Sequence, residues 1–242
     1  MLKSDFLAAY EKVAAQYQTD TTTNGVRHYH FNNDLKYRSV TTMLSALSDK
    51  AWLNFWYARE GKAKCVAITQ ESCEFGSQMH SNCEAYLKSE DAPFTDGEGY
   101  GLFENIKPLL LPISEVWAQE IVVWSHKHHL AGRLDCLGIY EGLLTMIDFK
   151  SARALKTKSD IFNYIMQTTL YCYMLEELFG LQVEQIAILI GQRMDKHGFR
   201  PQAQKFVFPA NKYKPELEKL LKTYDRVFLT LDHLKMRRSG QS

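Results

Sequence analysis

The chain has no apolar run approaching the roughly 20 residues that a membrane-spanning helix needs, and residues Met1 to Phe6 lack the apolar segment of a secretory signal. A cytoplasmic protein with no membrane partner is therefore expected. The five cysteines (Cys65, Cys73, Cys83, Cys136 and Cys172) are odd in number and form no C-x-x-C pair. That spacing excludes a zinc ribbon or a vicinal redox pair, and the thiols are expected to be reduced. No G-x-x-x-x-G-K-[ST] loop occurs, so no ATP is expected as a partner. Neither a G-x-S-x-G elbow nor a partnered Cys–His nucleophile is present, which argues against a covalent intermediate. Net charge is nearly absent too, at +1. Local basic stripes remain, among them Lys62 and Lys64, Arg153 to Lys158, Arg193 to Arg200, Lys212 to Lys222, and Arg237 with Arg238. Each can be solvated surface or a nucleic-acid contact.

What is present is an ordinary globular composition, 45% hydrophobic and 24% charged over 242 residues, enough for a full core. Apolar spacing predicts an amphipathic helix over 2–17, then a loop or small hairpin over 18–36. Ser39 is expected to cap a helix carrying Val40, Met43, Leu44 and Leu47. An aromatic helix follows from Lys50 to Glu60, ended by Gly61, then a longer one over 69–90. Residues 91–101 read as a loop and 101–111 as a helix stopped by Pro112. Beyond this the period changes to strands over 116–124, 130–140 and 143–151, with a tight turn at Glu141-Gly142. A helix over 159–179, capped by Ser159 and ended by Gly180, precedes strands over 185–193 and 203–209. A closing helix over 213–235 and a basic tail complete the chain. The division expected is a helical N-terminal lobe over 1–112 that contributes His80, and a core over 113–242, in one continuous domain.

Four positions carry the chemistry: Asp135, Asp148, Lys150 and Gln167. Asp148-Phe-Lys150 ends the apolar run Leu143 to Ile147, so both charged side chains leave one face of a buried strand. Two carboxylates and an ammonium at such a place are costly unless compensated, and a hard divalent cation is the obvious compensator. The Phe149 carbonyl is a further oxygen donor. Gly76, His80 and Glu84 fall along one helix face, as do Gln167 and Tyr171 on a later helix. Taken singly, each has a plain alternative. Asp148 and Lys150 can be a strand-end ion pair, His80 a core histidine, Glu84 a surface group, and Gln167 with Tyr171 a chance pair. Trp52 and Trp56, one turn apart, are read as core rather than as a stacking wall for bases. Arg153 and Lys156, just past the D-x-K strand, are the preferred phosphate contacts.

The ordered series G-x-x-x-H-x-x-x-E, E (Glu120), G-R-x-D, D-x-K, Q-x-x-x-Y over roughly 72–175 resembles the PD-(D/E)XK nuclease superfamily and, within it, the RecB-like exonuclease branch. Ser39 to Leu44 and Trp52 to Gly61 resemble the corresponding part of mitochondrial genome maintenance exonucleases and their phage relatives. The resemblance implies an α/β fold, with a mixed central sheet flanked by helices under a helical lobe. It implies Asp135, Asp148, the Phe149 carbonyl and His80 as metal ligands, Lys150 as catalytic, and Gln167 and Tyr171 as supporting the site, with Glu84 and Glu120 assisting. One or two Mg²⁺ or Mn²⁺ ions are implied, and no iron–sulfur cluster, because no cysteine follows Cys172. The activity implied is exonucleolytic cleavage of DNA, on single strands or duplex ends; the lack of a targeting peptide favours a bacterial or phage-infected cell as the setting. A restriction-like or structure-selective endonuclease and a non-catalytic DNA-binding protein are the alternatives.

Overall fold

The structure is a computed structural model that describes residues 1–48 and 51–229; the side chains of Trp52 and Leu229 also lie outside the description. The N-terminal part runs α1 (Lys3–Ala14), β1 (Tyr17–Thr23), β2 (Val26–Phe31), β3 (Lys36–Ser39), α2 (Val40–Leu47), α3 (Ala51–Glu60), α4 (Lys62–Leu87) and α5 (Gly97–Ile106). The remainder runs β4 (Ile113–Gln119), β5 (Val122–Ser125), β6 (Leu130–Arg133), β7 (Cys136–Tyr140), β8 (Leu143–Ala152), α6 (Phe162–Phe179), β9 (Gln185–Gln192), β10 (Gln204–Pro209) and α7 (Lys214–Tyr224).

The central sheet has the order β10-β9-β8-β7-β4 and is mixed: β8 and β9 run parallel, and its other neighbours antiparallel. Period-2 alternation sorts its side chains into two layers. Met146 on β8 and Ile186, Ile188 and Ile190 on β9 pack with Ile165, Met166 and Leu170 of α6. Ile147, Phe149, Ala187 and Leu189 face the other way, onto Met79 and Cys83 of α4 and Leu102 and Phe103 of α5. Asp148 and Lys150 continue the row of Met146, so they point toward α6.

A second sheet, not foreseen in the sequence, has the order β1-β2-β3-β6-β5. The β1–β2 hairpin falls within the stretch read as loop or hairpin, and β3 then pairs parallel with β6 at Arg38↔Leu130 and Ser39↔Ala131. The N-terminal region is thus helical and stranded, and one of its strands completes a sheet with the later part. The reason is burial: Tyr29, Phe31 and Tyr37 enclose Trp124 in a small aromatic core.

Consecutive strands link the two sheets, β4 to β5 and β6 to β7. The predicted strands 116–124 and 130–140 are each broken, at Glu120–Ile121 and at Leu134–Asp135, where the chain crosses from one sheet to the other. Such corners are made by bends and bulges. Glu120 has φ 53°, a left-handed value rare outside glycine, and this turns the strand. The paired hairpin bends as a unit: Glu120 N donates to the Asp135 carbonyl (3.2 Å), and Leu134 N to that of Ile121 (3.0 Å).

Other differences are local. Helix α4 begins at Lys62 rather than 69, and α5 at Gly97 rather than 101. The glycines read as a loop sit inside α5 because Gly99 and Gly101 press against Gln78 and Arg200, where a Cβ would come within 2.2 Å and 2.4 Å. Ser159 does not cap α6; its hydroxyl bonds Thr157 instead, and the helix starts at Phe162. Ser39 does cap α2, accepting from Thr42 N at 3.0 Å. Glu141 and Gly142 form the β7–β8 turn with φ 51° and 85°, and Gly180 ends α6 in the left-handed conformation. Helix α7 ends at Tyr224 and runs into a π turn over Asp225–Leu229. The rest of the predicted closing helix, the tail with Arg237 and Arg238, and Lys50 lie outside the described residues. No helix among the described residues is long and apolar enough to cross a membrane.

Candidate active site

The corner positions the acidic groups. Asp135 is the last residue before β7, and β7 pairs β8 only as far as Cys136↔Ile147. Beyond Ile147 that edge of β8 has no strand partner among the described residues, and the Asp135 carboxylate takes its place. Phe149 N donates to Asp135 Oδ2 at 2.8 Å. In a strand the N–H and C=O of one residue leave the same edge, so the Phe149 carbonyl faces Asp135 as well.

On the α4 side, His80 Nδ1 lies 3.6 Å from Asp135 Oδ2, and the His80 ring meets Phe149 edge-on at 5.9 Å. Glu120 completes a cluster: one ligand atom from each of His80, Glu120 and Asp135 lies within 4.8 Å of the others. A cleft of about 520 Å³ exposes them, with Glu84, Arg27 and Arg133 on its walls. Glu84 is half turned away, its carboxylate 2.6 Å from Lys88 Nζ. The Glu120 carboxyl is pushed up to about 7 by burial first, then by the charges of Asp135 and Glu84. Mutual repulsion of this kind suits a cation, and oxygen donors with one imidazole suit a divalent one.

On the α6 side, Asp148 is fully buried. Gln167 Nε2 donates to Asp148 Oδ1 at 3.2 Å and to the Tyr171 hydroxyl at 3.3 Å. Among the described residues, Asp148 Oδ2 has no hydrogen-bond partner besides the Lys150 ammonium, 2.5 Å away. Burial pushes the Asp148 carboxyl up, Lys150 pulls it back, and Asp135 repels it. Burial also opposes the charge on Lys150, but attraction by Asp148 and Asp135 outweighs it, and the ammonium pKa is raised. The contact distance marks an ion pair. The Lys150 ammonium also lies 5.2 Å over the ring of Tyr164.

The structure therefore brings together Asp135, His80 and Glu120 on one side of the Phe149 peptide, and Asp148, Lys150, Gln167 and Tyr171 on the other. Both oxygens of Asp148 are engaged, and it stands outside the three-residue cluster, whereas Glu120, expected only to assist, is inside it. Arg153 and Lys156 line a separate cleft beyond the end of β8. Tyr164 and Arg27 had no sequence signal, and Arg193 stood out only as one member of a basic stripe. Arg133 stood in the G-R-x-D motif itself; its Nη1 holds the Glu120 carbonyl at 2.9 Å and so braces the corner.

Gly132 explains the first letter of that motif. A Cβ there would lie 2.5 Å from Tyr171 Cε1 and 2.6 Å from its hydroxyl. Gly132→Ala is expected to push out a buried tyrosine and disturb Gln167 with it. The cost should be about 1–3 kcal/mol, a melting temperature lower by about 5 °C. Thermal unfolding checks this, and an unchanged melting temperature would refute the close packing; Gly132→Ala combined with Tyr171→Ala should recover part of the loss.

The raised Glu120 carboxyl also fixes a pH dependence. Between its ordinary value of 4.5 and about 7, the folded, metal-free protein keeps a proton that the unfolded chain releases. Stability of that form should therefore fall as pH rises across this window. Melting temperatures in EDTA from pH 5 to pH 8 measure it. Glu120→Gln should flatten the slope, and a slope unaffected by that change would contradict the assignment.

A family model described as the PD-(D/E)XK nuclease superfamily matches residues 111–236. The search of curated proteins finds no match. Among solved structures, one titled "Crystal structure of SSO0001" aligns with 93% of this chain and 86% of its own at 13% identity, with a TM-score of 0.42.

Proposed function

Because the chain belongs to the PD-(D/E)XK nuclease superfamily, we propose that it is a Mg²⁺- or Mn²⁺-dependent DNA exonuclease of the RecB-like branch, acting on single strands or duplex ends. The observation that carries this reading is the convergence, across one peptide of β8, of the Asp148–Lys150 pair with the His80, Glu120 and Asp135 cluster. His80, Asp135 and Glu120, with the Phe149 carbonyl and Asp148, are the groups that would hold metal. When bound, a divalent ion neutralises the scissile phosphate and stabilises the leaving oxygen.

The protein's own groups do the rest. Lys150, kept charged by the paired Asp148, orients the attacking water and offsets the charge that develops on the phosphate. Gln167 and Tyr171 fix Asp148 from α6. Residues 1–112 and 113–242 act as one continuous domain, joined by the β3–β6 pairing. Arg153 and Lys156 contact the DNA backbone. The setting is the cytoplasm of a bacterial or phage-infected cell.

The test is incubation of end-labelled linear oligonucleotides, single-stranded and duplex, beside a covalently closed single-stranded circle, with Mg²⁺, Mn²⁺ or EDTA. Stepwise shortening of linear DNA with an intact circle is expected. A cut circle makes the enzyme an endonuclease, and no cleavage under any condition leaves a DNA-binding protein.

A further inference from the structure

A second cleft, of about 770 Å³, opens where β8 and β9 end, and Cys73 lines both it and the acidic cleft. Its walls include Phe55, Arg59, Ser72, Arg153, Lys156 and Arg193. Ala152 pairs in register with Gln192, so Arg153 and Arg193 leave the carboxyl ends of adjacent parallel strands side by side. Ligands of open α/β sheets gather at such ends.

A single carboxylate oxygen sits between the two guanidinium groups. Glu71 Oε2, from α4, is 2.6 Å from Arg153 Nη2 and 3.2 Å from Arg193 Nη2. Arg193 is fixed independently of it. Its Nη1 donates to Ser72 Oγ at 3.4 Å, its guanidinium lies 4.8 Å over the Phe75 ring, and its Nε is 3.9 Å from Glu98. The Arg193 side chain is only 13% exposed, whereas those of Arg153 and Glu71 are 48% and 47% exposed. The seat thus has one rigid wall, one adjustable wall and a loosely held occupant. Guanidinium forks prefer two oxygens each. A shared Oε2 under-fills them, and a phosphate would fill them.

We propose that Arg153 and Arg193 form a seat for a backbone phosphate of the nucleic-acid strand, adjacent to the scissile one, and that Glu71 is the resident anion this phosphate displaces. The inference rests on the nuclease reading above. Arg153 stands three residues beyond Lys150, about 10 Å at 3.3 Å per residue, which separates the seat from the reacting centre. Phe55, 66% exposed and with Arg59 5.9 Å over its ring, offers a flat apolar face for a base in the same cleft.

The experiment is fluorescence anisotropy of a labelled single-stranded oligonucleotide with the full chain in EDTA, over a range of salt concentrations. Glu71→Gln should tighten binding about threefold, because the phosphate no longer has to displace a resident anion, while the loss of an arginine should change the salt slope by about 0.7, the value of one phosphate contact on a single strand. Arg193→Ala should weaken binding about tenfold and make the slope shallower by the same amount. Arg153→Ala, at the more exposed partner, should act in the same direction and guards against misfolding of the Arg193 variant. Unchanged or weaker binding by Glu71→Gln would mean that Glu71 only ties α4 to the sheet, and would overturn the proposal while leaving the nuclease reading intact if the parent still cleaves. A parent that neither binds nor cleaves any oligonucleotide would sink the nuclease reading and this inference together.

Discussion

Lys150→Ala is expected to slow DNA cleavage by about 10³-fold while leaving binding of the oligonucleotide within a few-fold of the parent. The magnitude follows from the two roles the ammonium combines, orienting the attacking water and stabilising the developing charge, the latter alone worth about 10²–10³ in rate in other enzymes. The binding arm follows from geometry: Lys150 is pinned to Asp148 at 2.5 Å and lies over Tyr164, inside the site rather than along its walls. Removing one member of a buried pair ordinarily leaves a costly lone charge. Here burial already pushes the Asp148 carboxyl up, so the aspartate can take a proton in place of its partner and the fold should survive. Single-turnover rates with the melting temperature measured in parallel provide the check. A well-folded Lys150→Ala protein that cleaves within about tenfold of the parent would remove this lysine from the chemistry.

The second large effect concerns the acidic corner. EDTA should abolish cleavage, and Asp135→Asn should do so even in excess Mg²⁺ or Mn²⁺. Asparagine keeps an oxygen for the Phe149 N–H, now 2.8 Å from Asp135 Oδ2, so the loss would report on charge rather than on a broken strand edge. A readout independent of activity follows from mass action. An ion present at 100 times its Kd adds about 2.7 kcal/mol to stability, or roughly 5–10 °C in a protein of this size. That rise should appear in the parent, shrink in Glu120→Gln and vanish in Asp135→Asn. Equal shifts in all three proteins would place the ion elsewhere.

Much of the central sheet was legible because its signals are local. The apolar run Leu143 to Ile147 before Asp148, the Glu141-Gly142 turn and the Gly180 stop are each set by neighbouring residues, and each lies where expected. The pair Asp148 and Lys150 followed from strand alternation alone. The second sheet was not legible, because β3 finds its partner β6 some ninety residues later and nothing in Lys36–Ser39 announces it. Nor was the corner. Glu120 adopts a left-handed φ without the glycine that would signal it, and only tertiary pairing with the 134–135 break makes that conformation tolerable. The sequence therefore ranked Glu120 as an accessory group, while the fold sets it beside Asp135. Arg27 was equally silent and Arg193 showed only as one member of a basic stripe, since each acts through residues far from it in sequence.

The edge of β8 that Asp135 completes has one more consequence. A backbone amide in the middle of a sheet is normally shielded by another backbone, but that of Phe149 is shielded by a titratable group. Its hydrogen–deuterium exchange thus becomes a gauge of what that carboxylate is doing. Substitution or a changed orientation of Asp135 would speed exchange at this one amide while its neighbours on the β9 side stay closed.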